Sequence, residues 1–254
     1  MAVIPRADTA ALAATDEMSA TDEISGALRL RDCPSPNQGP RRNAARPDMV
    51  VLHFTAMADP GASRAWLCNS QAEVSAHYQI DPDGAVWRLV PEALRAWHAG
   101  AGAWGPVVDV NSRSIGIELA NTGRTPFAAP QMDALEALLP GIMARWDVPP
   151  ERVIGHSDMA LRRKVDPGRR FDWRRLARGG MAVWPDGGVS AEPTDFAGAA
   201  ARIGYVQGDD LAPEDVLEAF RQRFRPWAPS GAALDAVDAG LAAEVAVRWP
   251  VAGD

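Results

Sequence analysis

The sequence of 254 residues predicts an α/β protein with a small helical region at its C-terminal end. Three observations lead to this fold class. Residues 49–52 and 114–119 are short apolar runs, typical of strands that are buried on both faces. Residues 130–146 carry apolar side chains at helical spacing. Residues 194–254 follow a linker rich in glycine and proline, and they contain three further helical patterns.

Composition and charge restrict the class of function. Apolar residues make up 47% of the chain and charged residues 23%, which is ordinary for a globular protein. The formal net charge of −7 argues against nucleic acid as the main partner, because phosphate binding needs clustered positive charge. A basic group at residues 162–164 and 169–170 fits either a small anionic substrate or a solvated loop. The sequence contains no apolar run long enough to span a membrane.

The N-terminal residues 1–33 are expected to form a flexible tail, because they are rich in Ala, Thr, Asp and Glu and show no sustained period. They lack the apolar segment of a secretory signal. We therefore expect a cytoplasmic protein, or a periplasmic one if the N-terminus is trimmed or mis-assigned. Cys33 and Cys68 form neither a CxxC motif nor a disulfide-rich pattern, and they are expected to be free thiols.

The first half of the predicted sheet begins after a proline-rich loop. The apolar run at 49–52 delivers His53 to the edge of the sheet, and a short helix follows over residues 63–70. Residues 75–80 and 85–90 are strand-like segments on either side of an Asp-Gly turn. They therefore predict an antiparallel pair.

A loop and a further strand come next. Residues 96–105 are rich in glycine and tryptophan and predict a loop. The strand at 114–119 contains Gly116, so another group is expected to approach its backbone closely. It also contains Glu118. Because an unpaired buried carboxylate is costly, this acid should be paired, exposed at a cleft or functional.

The rest of the chain is mainly helical. Pro140 is expected to kink the long helix, and residues 172–177 predict a shorter one. The linker at 184–193 marks a domain boundary, and residues 194–254 are expected to form a small domain beyond it. Its three helices are expected to run from Thr194 to Gly204, to start at Pro213, and to carry Val237, Leu241 and Val245 at intervals of four.

Residues 155–168 gather an imidazole, an ammonium and a carboxylate between two turn-forming ends. His156 follows a short apolar run, and an irregular loop that folds back brings it to the same point as Asp166. These two side chains and one more nitrogen ligand make a zinc site with an open position for water, the pattern of a catalytic metal. A spacing of ten residues also fits ordinary loop residues. His53, taken alone, also fits a satisfied core histidine.

Ser157 and Asp158 raise the alternative of a Ser-His-Asp hydrolase. Adjacent residues do not easily form such a triad, and the sequence has no G-x-S-x-G elbow beside them. The sequence therefore favours metal chemistry over a serine nucleophile.

Six segments of the chain carry the pattern of a known family, in the order in which that family has them: residues 50–56, 74–78, 89–92, 96–100, 114–119 and 155–168. With these segments the chain resembles the zinc-dependent N-acetylmuramoyl-L-alanine amidases of the AmpD/AmiD type, which share their fold with peptidoglycan recognition proteins. The resemblance covers roughly residues 35–178. It implies a mixed central β-sheet flanked by helices, in a catalytic domain over residues 34–183.

The resemblance also implies the cofactor and the chemistry. Zn²⁺ would be held by His53, His156 and Asp166, and Glu118 and Lys164 would be catalytic residues. The implied reaction is hydrolysis of the amide between N-acetylmuramic acid, or its 1,6-anhydro form, and L-alanine of the stem peptide. The expected partners are muropeptides or peptidoglycan fragments, in cell-wall turnover or recycling.

Other residues of the pattern have less definite roles. Trp97 and His98 are candidates to contact sugar or peptide, and His77 is expected to be structural. Ala76 stands where some relatives have a tyrosine, with Glu118 as the expected substitute. Residues 194–254 resemble the helical, peptidoglycan-binding-like module of AmiD-type enzymes. The alternative function is a recognition module that holds muropeptide without cutting it.

Overall fold

The computed structural model describes residues 24–25, 28–208 and 210–251. The strands are β1 Ile24–Ser25, β2 Leu28–Asp32, β3 Gln38–Gly39, β4 Met49–Phe54, β5 Tyr78–Ile80, β6 Ala85–Arg88, β7 Arg95–Ala96, β8 Ser114–Leu119 and β9 Val153–Gly155. The α-helices are α1 Pro60–Leu67, α2 Val110–Arg113, α3 Ala129–Trp146, α4 His156–Met159, α5 Trp173–Arg178, α6 Phe196–Ile203, α7 Pro213–Phe224 and α8 Ala236–Arg248. Short 3-10 turns lie at Arg42–Ala44, Ser70–Ala72, Pro150–Arg152 and Pro193–Asp195.

Seven of these strands form one mixed sheet in the order β1-β2-β6-β5-β8-β4-β9. The predicted hairpin of β5 and β6 is antiparallel, whereas β8, β4 and β9 are parallel to one another. In this register His53 on β4 pairs with Glu118 on β8, and Leu52 pairs with Gly155 on β9. Because parallel strands end at the same edge, His53, Glu118 and the residue after Gly155 are brought together there. The predicted mixed sheet is confirmed.

The alternating side chains of β4 face two cores. Val50 and Leu52 point to the side covered by α3, where they pack in one apolar cluster with Leu135 and Ile142. The predicted long helix is thus confirmed, and its helical residues continue on both sides of Pro140. Helix α3, from the middle of the chain, therefore covers this face of the sheet.

Met49 and Val51 point to the opposite side, where the C-terminal helices pack. They share a cluster with Phe196, Ile203 and Phe220 from α6 and α7. The C-terminal helices therefore complete the core of the sheet instead of enclosing a separate one. The predicted boundary at residues 184–193 stays a prediction.

One expectation about an individual segment is wrong. Residues 28–32 belong to β2, because Leu28 and Leu30 alternate with arginines and pack against the core below α3. Residues 1–23 and 26–27 of the predicted tail lie outside the described residues. In α8, Val237 is 51% exposed, because Ala239, Ala242 and Val245 form the buried face instead.

Helix boundaries in the C-terminal region follow the predicted turn residues closely. The helix expected from Thr194 starts at Phe196 after a 3-10 turn, and it ends at Gly204 as expected. The helix expected at Pro213 starts there. In the parts of the chain that the structure describes, no helix combines the length and the apolar character needed to cross a membrane.

Candidate active site

Three predicted ligand residues meet at the carboxyl edge of the sheet. His53 lies near the end of β4, and His156 begins the single turn α4 directly after β9. The chain then folds back. The backbone amide of Lys164 donates to the Ala160 carbonyl at 3.0 Å, and that of Ser157 donates to the Asp166 carbonyl at 2.9 Å. These bonds close the loop and place Asp166 beside His156.

The three ligand atoms form a nearly equilateral triangle. Nδ1 of His53 lies 2.9 Å from Nδ1 of His156 and 2.9 Å from Oδ2 of Asp166. The third side, from His156 Nδ1 to Asp166 Oδ2, is 3.0 Å. The three residues are 1%, 3% and 7% exposed. Among the described residues, this is the cluster of His, Cys, Asp or Glu that could hold a metal ion.

The partner of His156 fixes which ring nitrogen carries the proton. Nε2 of His156 lies 2.9 Å from the carbonyl oxygen of Ala99, and this oxygen can only accept a hydrogen bond. Nε2 must therefore carry the hydrogen in the neutral ring. The lone pair of Nδ1 then points towards the triangle.

A longer chain of hydrogen bonds fixes the His53 ring in the same way. The Ser114 hydroxyl donates its single hydrogen to the Val110 carbonyl at 2.6 Å. Towards His98 it can therefore only accept, and Nε2 of His98 donates to it at 3.2 Å. Nδ1 of His98 then accepts from Nε2 of His53 at 3.0 Å. His53 Nδ1 is left without a hydrogen. Gly116 makes room for this arrangement, because a Cβ there would lie 2.4 Å from the His98 ring, as the glycine in the strand predicted.

Two nitrogen lone pairs and a carboxylate oxygen thus face one another with no hydrogen between them. Such a group repels itself unless a cation lies at its centre. Ligands at about 2.0–2.1 Å from a tetrahedral zinc ion are separated by roughly 3.3 Å, close to the sides of this triangle. The remaining ring nitrogens donate to a carbonyl and to another histidine, as metal-binding histidines usually do. The residues fit a divalent metal ion.

The pKa values of the ligands agree with this arrangement. Burial, followed by the proximity of the His156 ring, lowers the pKa of His53 to about 4, so the His53 ring is neutral at pH 7. Burial alone would raise the pKa of the Asp166 carboxyl, but the close contacts with the His156 and His53 rings bring it well below its usual range. At pH 7 the His53 ring is therefore neutral and Asp166 is a carboxylate.

Glu118 stands beside this triangle as an acid inside a strand. Its Oε2 atom is buried and has no hydrogen-bond partner. Burial first, and the charge of Asp166 second, raise the pKa of Glu118 to about 8, while Lys164 acts in the opposite direction. Part of the residue reaches the pocket surface, so solvent moderates this shift. A cation held beside Asp166 would lower the pKa and favour the carboxylate.

One cavity of about 370 Å³ is lined by all seven residues that the sequence analysis proposes as ligands, catalytic residues or substrate contacts: His53, Trp97, His98, Glu118, His156, Lys164 and Asp166. The cavity also has an apolar wall that the sequence patterns did not indicate. Trp66 at the end of α1 is 54% exposed, and Val165 is 55% exposed. A larger cavity of about 980 Å³ between β2 and α3 shares none of these residues. The chemistry identifies the smaller cavity as the candidate active site.

Residues 43–169 match the family described as N-acetylmuramoyl-L-alanine amidase. The chain belongs to this family. It is 37% identical over 216 residues to the N-acetylmuramoyl-L-alanine amidase AmiD of Escherichia coli, covering 73% of this chain and 77% of that one. It is 34% identical to the 1,6-anhydro-N-acetylmuramyl-L-alanine amidase AmpD of Enterobacter cloacae, over 58% of this chain and 87% of that one.

Solved structures show how far the similarity of this amidase extends. Escherichia coli AmiD, in complex with the substrate anhydro-N-acetylmuramic acid-L-Ala-D-γ-Glu-L-Lys, matches with a TM-score of 0.72 and 34% identity. That match covers 82% of this chain and 92% of the AmiD chain. AmpDH3 of Pseudomonas aeruginosa, in complex with anhydromuramic pentapeptide, matches with a TM-score of 0.73, 29% identity and coverages of 84% and 96%.

The C-terminal helices of the amidase also reach the turn that begins with His156. Asp158, two residues later, accepts hydrogen bonds from the Tyr205 hydroxyl at 2.8 Å and from Arg223 Nη1 at 2.9 Å. Arg223 Nη2 also donates to the Val153 carbonyl on β9 at 3.0 Å. Asp158 and Arg223 are almost fully buried. We refer to Asp158, Tyr205 and Arg223 as the C-terminal anchor.

His77 has the structural role that the sequence predicts. It is fully buried, its Nδ1 accepts from the Gly116 amide at 2.9 Å, and its Nε2 lies 3.1 Å from the Leu94 carbonyl oxygen. Its Nε2 also lies 3.1 Å from the Arg41 guanidinium. These contacts hold the strand next to Glu118 and leave His77 outside the metal triangle.

Proposed function

We propose that this amidase hydrolyses the amide between N-acetylmuramic acid, or its 1,6-anhydro form, and L-alanine of a peptidoglycan stem peptide, with Zn²⁺ as its metal. The observation that carries the proposal is the triangle of unprotonated ligand atoms on a cavity that also contains Glu118 and Lys164. AmiD and AmpDH3, each with a bound anhydromuramyl peptide, support this substrate class.

His53, His156 and Asp166 would hold the zinc ion through two imidazole nitrogens and one carboxylate oxygen. A zinc ion bound in this way polarises a carbonyl group and lowers the pKa of water towards about 7. The hydrogen bond from His53 to His98, and that from His156 to the Ala99 carbonyl, keep both rings in the orientation that this binding requires.

Glu118 would act as the general base and then as the general acid. In its carboxylate form, Oε2 has no other partner and is free to accept the proton of the attacking water. It would then deliver this proton to the nitrogen of the leaving L-alanine. Because the same carboxyl group performs both transfers, it ends the reaction in the state in which it began.

Lys164 would stabilise the charge that develops on the amide oxygen. It lines the same cavity, and its positive charge acts to lower the pKa of Glu118. A hydrogen-bond donor at such an oxyanion typically contributes about 10²- to 10³-fold in rate. Its compact charge suits this task.

Trp97 would contact the sugar or the peptide, because it lines the cavity beside the metal triangle. His98 also lines it, but both of its ring nitrogens already face His53 and Ser114. Its main role would therefore be to position His53. The residues 194–254 would serve as a peptidoglycan-binding-like region only through surfaces that their packing on the sheet leaves free.

Product analysis tests the proposed reaction. Zinc-loaded protein would be incubated with anhydro-muropeptides and with intact muropeptides, and the products identified by mass spectrometry. Release of free stem peptide from the anhydro substrate alone would indicate a cytoplasmic recycling enzyme, and release from both would indicate a broader amidase. Glu118→Gln with full zinc content is the matched control. Binding without cleavage by the zinc-loaded wild type would contradict the reaction and favour a recognition module.

A further inference from the structure

The fold brings the two cysteines of the chain together. Cys33 follows β2 and Cys68 follows α1, 35 positions later, yet their Sγ atoms are 3.5 Å apart. Both are free thiols and both are partly buried. Neither belongs to the metal-binding cluster found among the described residues, so the metal site does not explain their meeting.

Backbone and side-chain hydrogen bonds hold both cysteines in place. The Cys33 amide donates to the Arg88 carbonyl on β6 at 3.0 Å, and the Cys68 amide donates to the Arg64 carbonyl at 3.0 Å. Close by, the Ser35 hydroxyl donates to the Leu67 carbonyl at 2.6 Å. The segment after β2 is therefore already attached to the end of α1.

We propose that Cys33 and Cys68 are a disulfide-forming site that links the segment after β2 to the end of α1. The two sulfurs need to approach by about 1.5 Å to reach the bond length of about 2.05 Å. Nothing in the metal triangle has to change for this bond to form.

The reaction is thiol–disulfide exchange with a disulfide oxidant such as oxidised glutathione. One cysteine thiolate attacks a sulfur of the oxidant, forms a mixed disulfide and releases one glutathione thiol. The second cysteine then attacks its neighbour's sulfur, which forms the internal bond and releases the second thiol. The protein loses two protons and two electrons, and the oxidant disulfide gains them.

The surroundings of the pair indicate a stable link instead of a rapid sensor. Leu67, Trp87 and Leu89 form the apolar cluster against which both sulfurs pack. Burial first, and the contact with Cys33 second, raise the pKa of Cys68 to about 12, so its thiolate is scarce at neutral pH. Low thiolate content slows the formation of the bond, and a thiol of high pKa is a poor leaving group, which slows the reduction of the bond once it has formed.

The link closes a segment of the chain that contains His53 and α1. Closing a loop of this length restricts the unfolded chain, and the expected rise in melting temperature is roughly 5–15 °C. Trp66 and Leu67, in the wall of the candidate active site, directly precede the linked Cys68. We therefore expect the oxidised protein to retain turnover and to lose it more slowly at high temperature.

Non-reducing peptide mapping tests the proposal. The full chain would be equilibrated in a glutathione couple, once as the folded reduced protein and once during refolding, which removes any barrier from limited access. The expected product is one peptide pair joined through Cys33 and Cys68, with the loss of two hydrogens and a higher melting temperature.

Cys33→Ser and Cys68→Ser are the matched variants. Each should take up at most one glutathione and show no rise in melting temperature on oxidation, while the reduced variants retain the activity of the reduced wild type. Wild-type protein that keeps two free thiols in both arms, or that carries only glutathione adducts or intermolecular bonds, would overturn the proposal.

Discussion

The two histidines that we propose as metal ligands, His53 and His156, are held in place by different parts of the structure. His53 is supported by neighbouring parts of the sheet, because β4 lies between β8 and β9 and the ring is oriented by His98. His98 is in turn fixed by Ser114 at the start of β8. Every group in this chain of contacts belongs to the predicted catalytic domain.

His156 depends on residues from the far end of the chain. Its ring bonds to the Ala99 carbonyl, but the turn that it begins is held through Asp158 by Tyr205 and Arg223. A buried Arg–Asp pair is costly to disrupt, because removal of one charge leaves the other without a partner. The comparison teaches that one proposed metal ligand is fixed locally and the other by the C-terminal helices.

The largest effect is expected when a proposed metal ligand is itself removed, because neither kind of support can replace it. In His53→Ala and in His156→Ala, one ligand of the triangle is lost, so bound zinc should fall to background and turnover should be abolished. Metal analysis of the purified variants, with circular dichroism as the control for folding, checks this. Full zinc occupancy in either variant would show that the ligand set is different.

A second group of variants should leave both supports and the metal in place. Glu118→Gln is expected to lower kcat by about 10²- to 10⁴-fold, and Lys164→Ala by about 10²- to 10³-fold, with zinc content unchanged. Steady-state kinetics with metal analysis on the same samples separates chemistry from metal binding. A rise in KM without a fall in kcat for Lys164→Ala would make it a binding residue.

The C-terminal anchor can be tested against a similar ion pair elsewhere. Arg223→Met should lower the free energy of unfolding by about 3–5 kcal/mol and weaken zinc binding, since it releases the turn at His156. Arg221→Met is the matched control, because Arg221 pairs with buried Asp238 at 2.5 Å within the C-terminal helices. It should lose similar stability and keep its zinc affinity. Urea unfolding and competition with a zinc chelator give the two quantities.

Equal zinc affinities for the Arg221 and Arg223 variants would contradict this difference between the two ion pairs. It would mean that the C-terminal helices stabilise the fold in general and have no specific influence on His156.

The local support of His53 should have a smaller effect. His98→Ala removes the acceptor of His53 Nε2 and should weaken zinc binding by about 10- to 100-fold, with Ser114→Ala less affected. His98→Gln offers an oxygen acceptor and should recover part of the loss. The same chelator competition measures all three variants. An unchanged affinity in His98→Ala would remove this residue from the support of the metal.

The smallest expected effect concerns pH and the metal-free protein. Because the pKa of Glu118 is raised from 4.5 to about 8, the folded state binds this proton more tightly than the unfolded chain does. This stabilisation is complete below about pH 4.5 and is lost as the pH rises through 8. Wild type should therefore lose about 1–2 kcal/mol relative to Glu118→Gln between pH 5 and 9. Unfolding in chelator across this range measures the difference, and a constant difference would contradict the raised pKa.

Sequence patterns indicated the positions of His53 and Glu118, the part of the site that neighbouring strands support. The apolar run before His53 and the acid within the strand at Glu118 both indicate their positions, because a parallel strand that is buried on both faces has a simple signature. Gly116 indicated a close approach to the backbone, and the His98 ring makes that approach. These features depend on residues that are neighbours in the sequence or in the register of the sheet.

The contacts of the C-terminal anchor with the turn at His156 were not predictable from local sequence patterns. In the sequence, Asp158 belongs to the family segment 155–168 and to a possible catalytic triad, and Arg223 reads as a charged residue on a helix face. Their pairing depends on how α7 packs on the sheet, and no local period encodes that packing. Strand β2 was missed because only two of its residues, Leu28 and Leu30, carry the alternating signal.

The apolar wall of the candidate active site is exposed, whereas the proposed metal ligands are buried. Trp66 and Val165 stand at the mouth with about half of their surface exposed, whereas the ligands behind them are buried. Substitutions at exposed positions usually change stability by less than about 0.5 kcal/mol. Substitutions at the mouth of the cavity can therefore change which peptidoglycan fragments the amidase accepts while the proposed metal ligands stay the same.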